Sequence, residues 1–171
     1  MELFTVDRGN TLSPGMKCDL VVYDDINPEA LREIVREMFP QGVSRHGELY
    51  FLRDSATTNV IDANTEMVFE LVRRNRYQNR PSRFESLYAC DSKEQARCFM
   101  RKVGAESAQV LRLESDHAFR ADMNLLDSRM SALVKIYFAN LYWQGRPHPE
   151  TPPFWEWLVP CPVIICDRVA C

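Results

Sequence analysis

Between Pro81 and Val103 a β-prone run, "FESLYAC", passes without a linker into a capped helix, "DSKEQARCFMRKV". Alternating side chains bounded by Pro81 and Asp91 read as a strand. Asp91 or Ser92 then caps the helix, with Glu94 or Gln95 placed for the return bond of a capping box. Any fold open to this chain therefore mixes helix and strand.

The rest of the chain extends that pattern without regularising it. "MELFTV", "DLVVY", "ELYFL" and "AQVLRLE" are strand candidates, and "FWEWLVPCPVIICDRV" holds two β-prone runs split by Pro160 and Pro162. Three further helices are expected. "NPEALREIVREMF" is capped by Asn27, with Pro28 in its first turn. "DANTEMVFELVRRNRY" turns Met67, Val68, Leu71 and Val72 inward and its arginines outward. "LLDSRMSALVKIYFANLYW" is apolar at helical spacing from Met130 to Tyr142. Strands and helices do not alternate regularly, which favours an α+β arrangement over a doubly wound parallel sheet. There is no Gly-x-Gly-x-x-Gly and no Gly-Lys-Ser/Thr phosphate loop.

A length of 171 residues suits a single domain spanning 1–171. With 46% hydrophobic and 26% charged residues, the composition is that of an ordinary globular protein. A net charge of −3 gives no general attraction to nucleic acid or to an anionic membrane. Of six cysteines, Cys90, Cys98, Cys161 and Cys166 fall in apolar patterns where a free thiol behaves as a small core residue. No Cys-x-x-Cys or zinc-ligand spacing occurs, so reduced thiols, no bound metal and a cytoplasmic setting are expected. Glu2, Asp7 and Arg8 interrupt any leader-like run, and "WLVPCPVIIC" is too short to span a bilayer, so no membrane partner is expected.

Several residues suggest chemistry. Glu156 stands between Trp155 and Trp157, where desolvation raises a carboxyl's pKa; the competing reading is a solvated residue facing away from both rings. Arg8 follows the first strand and could grip a phosphate bidentately, or be an ordinary surface arginine. Ser86 and Tyr88 share one strand face. "RRNRYQNRPSR" carries Arg73, Arg74, Arg76, Arg80 and Arg83, either a solvated helix end or an anion-binding rim with Tyr77 to stack on a base. His46, His117 and His148 form no nucleophile pattern.

Taken in order, these features resemble the ADP-ribosyltransferase superfamily, in particular a small group of poorly characterised bacterial and phage proteins with that fold. A first strand leads to an arginine. A middle strand carries Ser and Tyr before a capped helix, and a late Glu opens a C-terminal strand. Segments similar to "FPQGVSRHGELY", "RPSRFESLYACDSKEQAR" and "WEWLVPCPVIICDRV" occur there. The resemblance implies a split β-sandwich with NAD as co-substrate in a cleft between two small sheets. It implies mono-ADP-ribosyl transfer to a macromolecular acceptor, protein or nucleic acid. Toxin or effector relatives add delivery into a target cell's cytoplasm, and an antitoxin or immunity protein as partner.

Carried over, Glu156 is catalytic and Ser86 orders it. Arg8 holds NAD, with Arg83 a second pyrophosphate contact and Tyr88 stacking on nicotinamide or replacing Ser86. "LFTVD" also matches the toxin opening in a register that puts Thr5 at the arginine position, which leaves Arg8 and Thr5 as alternatives and His46 as the next candidate. Arginine-modifying members carry a Glu two residues before the catalytic one. Phe154 stands there, so arginine is disfavoured as acceptor. The alternative from another class is a non-catalytic binding module reading a protein or nucleic acid through "RRNRYQNRPSR" and the Trp155/Trp157 edge.

Overall fold

Two antiparallel sheets pack face to face, with helices against their outer sides. The structure is a computed structural model that describes residues 1–53 and 62–170. In chain order the elements are β1 (Glu2–Asp7), β2 (Lys17–Cys18), α1 (Glu29–Met38), α2 (Arg45–Gly47), α3 (Ala63–Arg76), β3 (Ser86–Ala89), α4 (Lys93–Lys102), β4 (Gln109–Glu114), β5 (Phe119–Asp122), α5 (Ala132–Trp143), β6 (Trp155–Pro160) and β7 (Val163–Val169). One sheet has the order β1-β4-β7-β2 and the other β3-β6-β5. The expected α+β class is what the chain adopts. Among the described residues no helix is long and apolar enough to cross a membrane.

Strand alternation decides the layers. Leu3, Leu111, Leu113 and Ile165 of the four-stranded sheet meet Ala89 and Val159 of the three-stranded sheet. On the outer face of the first sheet, Phe4 and Val110 meet Ala96 and Met100 of α4. On the outer face of the second, Ala121 and Leu158 meet Phe69 of α3 and Phe138 and Tyr142 of α5. At one corner Phe4 and Cys90 exchange backbone hydrogen bonds of 2.9 and 2.7 Å. There the two outer faces become continuous.

Several expectations are corrected. "DLVVY" makes only one bridge, Val21 to Val43, and the strand lies earlier at Lys17–Cys18. "ELYFL" is a π-helical turn, Glu48–Leu52. A five-residue apolar run has no periodicity of its own to distinguish the two. Helix α1 starts at Glu29 after Pro28, and Asn27 does not cap it. Helix α4 is capped by Ser92, whose Oγ accepts from Gln95 N at 3.2 Å. Helix α5 starts at Ala132 after a 3₁₀ turn at Met123–Leu125. Strand β5 had no counterpart in the sequence reading.

The largest difference is in α3, where Thr65, Glu66, Phe69, Glu70 and Arg73 are buried and Leu71 is exposed. Its inner face is mostly polar. Asp122, fully buried at the end of β5, accepts backbone N–H bonds from Asn124, His148 and Phe154 at 3.0, 2.8 and 2.9 Å. It thereby ties down both parts of the Pro-rich loop that leads into β6.

Candidate functional site

The buried face of α3 exists because charges from other elements meet it. Arg83 opens a 3₁₀ turn, Arg83–Glu85, and is 1% exposed. Its Nε and Nη2 donate to Glu66 Oε2 and Oε1 at 2.7 and 2.9 Å, a two-pronged pair. Its Nη1 donates to Glu156 Oε1 at 2.5 Å and contacts the Tyr142 hydroxyl. Tyr142, from α5, donates to the same Glu156 Oε1 at 2.6 Å. A guanidinium so deep is stable only with this density of partners.

Burial alone would push the Glu66 carboxyl up, but Arg83 and then His46 overcome it and hold it well below the usual carboxylate range. Burial alone would lower Arg83, and Glu156 and Glu66 more than reverse that. Burial raises Tyr142 and Tyr88 far above an ordinary phenol, so both stay neutral donors.

His46 closes one side. Helix α2 presses on the Arg83–Glu85 turn so tightly that a Cβ at Gly47 would come within 2.5 Å of Phe84 O, which admits only glycine. Ser44 bonds Phe84 O through both its backbone N and its hydroxyl, at 2.8 and 3.0 Å. This places the His46 ring against Tyr50 (centroids 4.3 Å) and Tyr88 (4.5 Å). His46 Nε2 lies 3.1 Å from Glu66 Oε1 but off the line of a hydrogen bond, and makes none. The Tyr88 hydroxyl donates to Arg83 O at 3.0 Å, and the Arg83 guanidinium lies 4.8 Å from its ring centre.

Glu156 is 5% exposed overall, with 7% of its side chain open. Oε1 takes both hydrogen bonds, and among the described residues nothing donates to Oε2. A carboxylate with one oxygen locked and the other unassigned can hydrogen-bond a hydroxyl or oppose a developing positive charge.

Residues 53–170 match the family described as "Protein of unknown function (DUF2441)". The chain belongs to the DUF2441 family. The matched span holds Glu66, Arg83, Tyr88, Tyr142 and Glu156, whereas His46 precedes it. No curated protein matches the chain.

In this DUF2441 chain Glu156, Arg83, Tyr88 and His46 come together as one cluster, and Ser86, Thr5 and Arg8 stay outside it. Ser86 pairs with Pro160, four residues along β6 from Glu156, about 13 Å of strand. Its hydroxyl donates to Ser82 O at 2.7 Å. Tyr142 and Arg83, not Ser86, order Glu156. Thr5 shares a strand face with Leu3, toward the inner core, whereas Glu156 faces outward with Leu158. Thr5 and Glu156 therefore lie on opposite faces of their sheets. Arg8 is exposed in the turn after β1. Arg83 has no guanidinium edge open for a pyrophosphate, and Tyr88 already packs against Arg83 and His46. Glu156 does face away from both tryptophans, as alternation requires, yet it is buried and paired rather than solvated.

Much of the arginine-rich stretch is engaged within the chain, although Arg76 at the helix end stays exposed. Glu70 accepts from Arg73 at 2.9 and 2.7 Å, from Arg74 at 2.7 Å and from Ser82 at 2.9 Å. Arg76 and Tyr77 bond Asn140 Oδ1 at 3.1 and 3.2 Å, and Arg80 donates to Trp143 O at 3.2 Å. These side chains staple α3 to α5 and to the turn before β3. Five described cysteines, 18, 90, 98, 161 and 166, are free thiols, and Cys98 is exposed rather than inward. Cys171 lies outside the described residues. Among the described residues no three His, Cys, Asp or Glu side chains are grouped to hold a metal ion.

Proposed function

We propose that this chain is an NAD-dependent mono-ADP-ribosyltransferase with Glu156 as its catalytic carboxylate, acting on a macromolecular acceptor other than arginine. The observation that carries this reading is the asymmetry of Glu156, with Oε1 locked by Arg83 and Tyr142 and Oε2 without a donor. Two small antiparallel sheets and a late Glu opening β6 are compatible with the resemblance read from the sequence. In the reaction nicotinamide leaves the anomeric carbon and positive charge develops on the ribose. Oε2 would accept a ribose hydroxyl and stabilise that charge, in the manner of a glycosidase carboxylate. Arg83 and Tyr142 act through Glu156 as positioning residues. Phe154, two residues earlier, has no group to activate a guanidinium.

A second reading is a non-catalytic binding module of the same family. It is favoured by Arg83, which both carboxylates engage so fully that no arginine in the cluster is left to grip a pyrophosphate. One experiment separates the two. Calorimetric titration of NAD, with a radiolabelled-NAD turnover assay in cell lysate, gives binding and slow release of nicotinamide on the first reading. Absence of both at millimolar NAD excludes the transferase.

A further inference from the structure

Among the described residues, one short helix gathers several cations that no carboxylate pairs. Helix α4 carries Lys93, Arg97, Arg101 and Lys102, all exposed, against one acid, Glu94, in a chain of net charge −3. Among the described residues none of the four forms a salt bridge. Arg101 contacts only Cys98 Sγ, and Lys102 only Asn124 Oδ1 and the Phe154 ring. Arginines 32, 36, 45, 53, 73, 74, 83, 112 and 129 are paired with carboxylates; arginines 8, 76, 80, 120, 146 and 168 are not, but they are spread over different elements, whereas the α4 cations share one helix. Arg101 and Lys102 suit the C-terminal end of the helix dipole, but Lys93 and Arg97, four residues apart, repel on the isolated helix.

Spacing gives the cations a direction. Lys93, Arg97 and Arg101 recur every four residues, so they form one stripe rising about 6 Å per step and about 12 Å in all. Beside it runs a groove of about 320 Å³ lined by Arg97, Met100, Arg101 and Glu106. Met100 gives it an apolar lining, Arg97 and Arg101 two positive charges and Glu106 one negative charge. Guanidinium planes and a thioether form a stacking surface for a flat ring, while the stripe beside it suits a chain of phosphates.

We propose that the outer face of α4 is a binding surface for single-stranded nucleic acid, with phosphates on Lys93, Arg97 and Arg101 and a base in the groove over Met100. Charge complementarity supports a polyanion, and the base-sized apolar groove supports a single strand, whose bases are free to enter it. Three phosphate contacts make the binding modest and salt-sensitive. The surface lies outside the Glu156 cluster and does not depend on the transferase reading.

The test is fluorescence anisotropy of a labelled fifteen-residue oligothymidylate with the full chain. Raising salt from 50 to 200 mM should weaken binding about 20-fold if about three phosphates are contacted. The double reversal Arg97→Glu/Arg101→Glu should weaken it at least tenfold, with circular dichroism and melting as in the parent. Arg36→Glu, a reversal on α1 in the opposite helical layer, and Glu156→Gln should both bind like the parent, so failure of NAD turnover leaves this result untouched. Three results overturn the proposal: no binding at 50 mM salt, equal binding by the folded double reversal, or tighter binding of the corresponding duplex. Displacement of the oligonucleotide by polyglutamate as effectively as by unlabelled oligothymidylate also overturns it, and points to an acidic protein instead.

Discussion

Tyr142 and Arg83 donate to the same oxygen of Glu156, at 2.6 and 2.5 Å, from opposite ends of the sequence that separates α3 from β6. Glu156→Gln can keep its amide oxygen under both donors, with the NH2 in the place of Oε2, but it removes the negative charge that faces the buried Arg83. It should remain folded with a lowered melting temperature, and on the transferase reading turnover of NAD should fall about 10²-fold. A folded variant with parental turnover removes Glu156 from the chemistry.

Tyr142→Phe isolates positioning from charge. The ring still packs against Phe69 and Trp143, and two hydrogen bonds are lost, to Glu156 and from Arg83, about 2 kcal/mol of stability. If Tyr142 aims Glu156, turnover of NAD drops while NAD affinity by calorimetry is unchanged. Equal loss of both would assign Tyr142 to the binding of NAD itself.

Arg83 and Arg8 should behave oppositely. Arg83→Met leaves Glu66 and Glu156 buried without their cation and should cost about 3–5 kcal/mol in chemical denaturation. Arg8→Ala removes an exposed side chain and should leave stability unchanged. Titration of NAD into Arg8→Ala then asks the remaining question. A tenfold or greater loss of affinity makes the exposed arginine the NAD anchor, and parental affinity moves the search to His46.

Acid should find the cluster through Glu66. Its folded pKa is depressed, so its contribution to stability is complete above the unfolded value, about 4.3, and is lost as pH falls below that toward the folded one. Between pH 5 and 3 the parent's melting temperature should drop more steeply than that of Glu66→Gln, which has no such proton to take up. Parallel curves would show that Arg83 does not hold Glu66 ionised.

Thiol reactivity should follow exposure. Burial pushes Cys90 and Cys161 up to about 12, whereas Cys98 is exposed. Timed alkylation at pH 8 with peptide mass mapping should label Cys98 well before Cys90 or Cys161. After denaturation without reductant all six cysteines should be labelled. Early labelling of Cys90 would mean that the corner between the sheets opens readily.

Much of the scaffold could be read from local pattern. β1, β3 and the β6–β7 pair show alternation bounded by turn residues, and α4 announces itself through Ser92. The cluster could not be read the same way. Periodicity assigns apolar positions to the core, yet α3 buries Glu66, Glu70 and Arg73 and exposes Leu71. What permits this is the set of counter-charges that Arg83 and Arg74 bring to the two carboxylates. Two signals were present: Glu66 and Glu70 lie four apart on one helical face, and Tyr142 is a hydroxyl within an apolar run, which needs a partner once buried. Strand β5 escaped notice because "FRAD" is too short and too mixed to show a period.

Asp122 gives the chain a form of modularity. Its carboxylate receives His148 N and Phe154 N from the two ends of the stretch before β6. The intervening residues, 149 to 153, are thus bypassed mechanically: the position at which β6 begins, and with it the aim of Glu156, is set by the clamp and not by the length of chain between its jaws. Homologous chains could lengthen or replace that stretch, and so reshape what passes over the β6 end of the sheet, without re-tuning the carboxylate beneath.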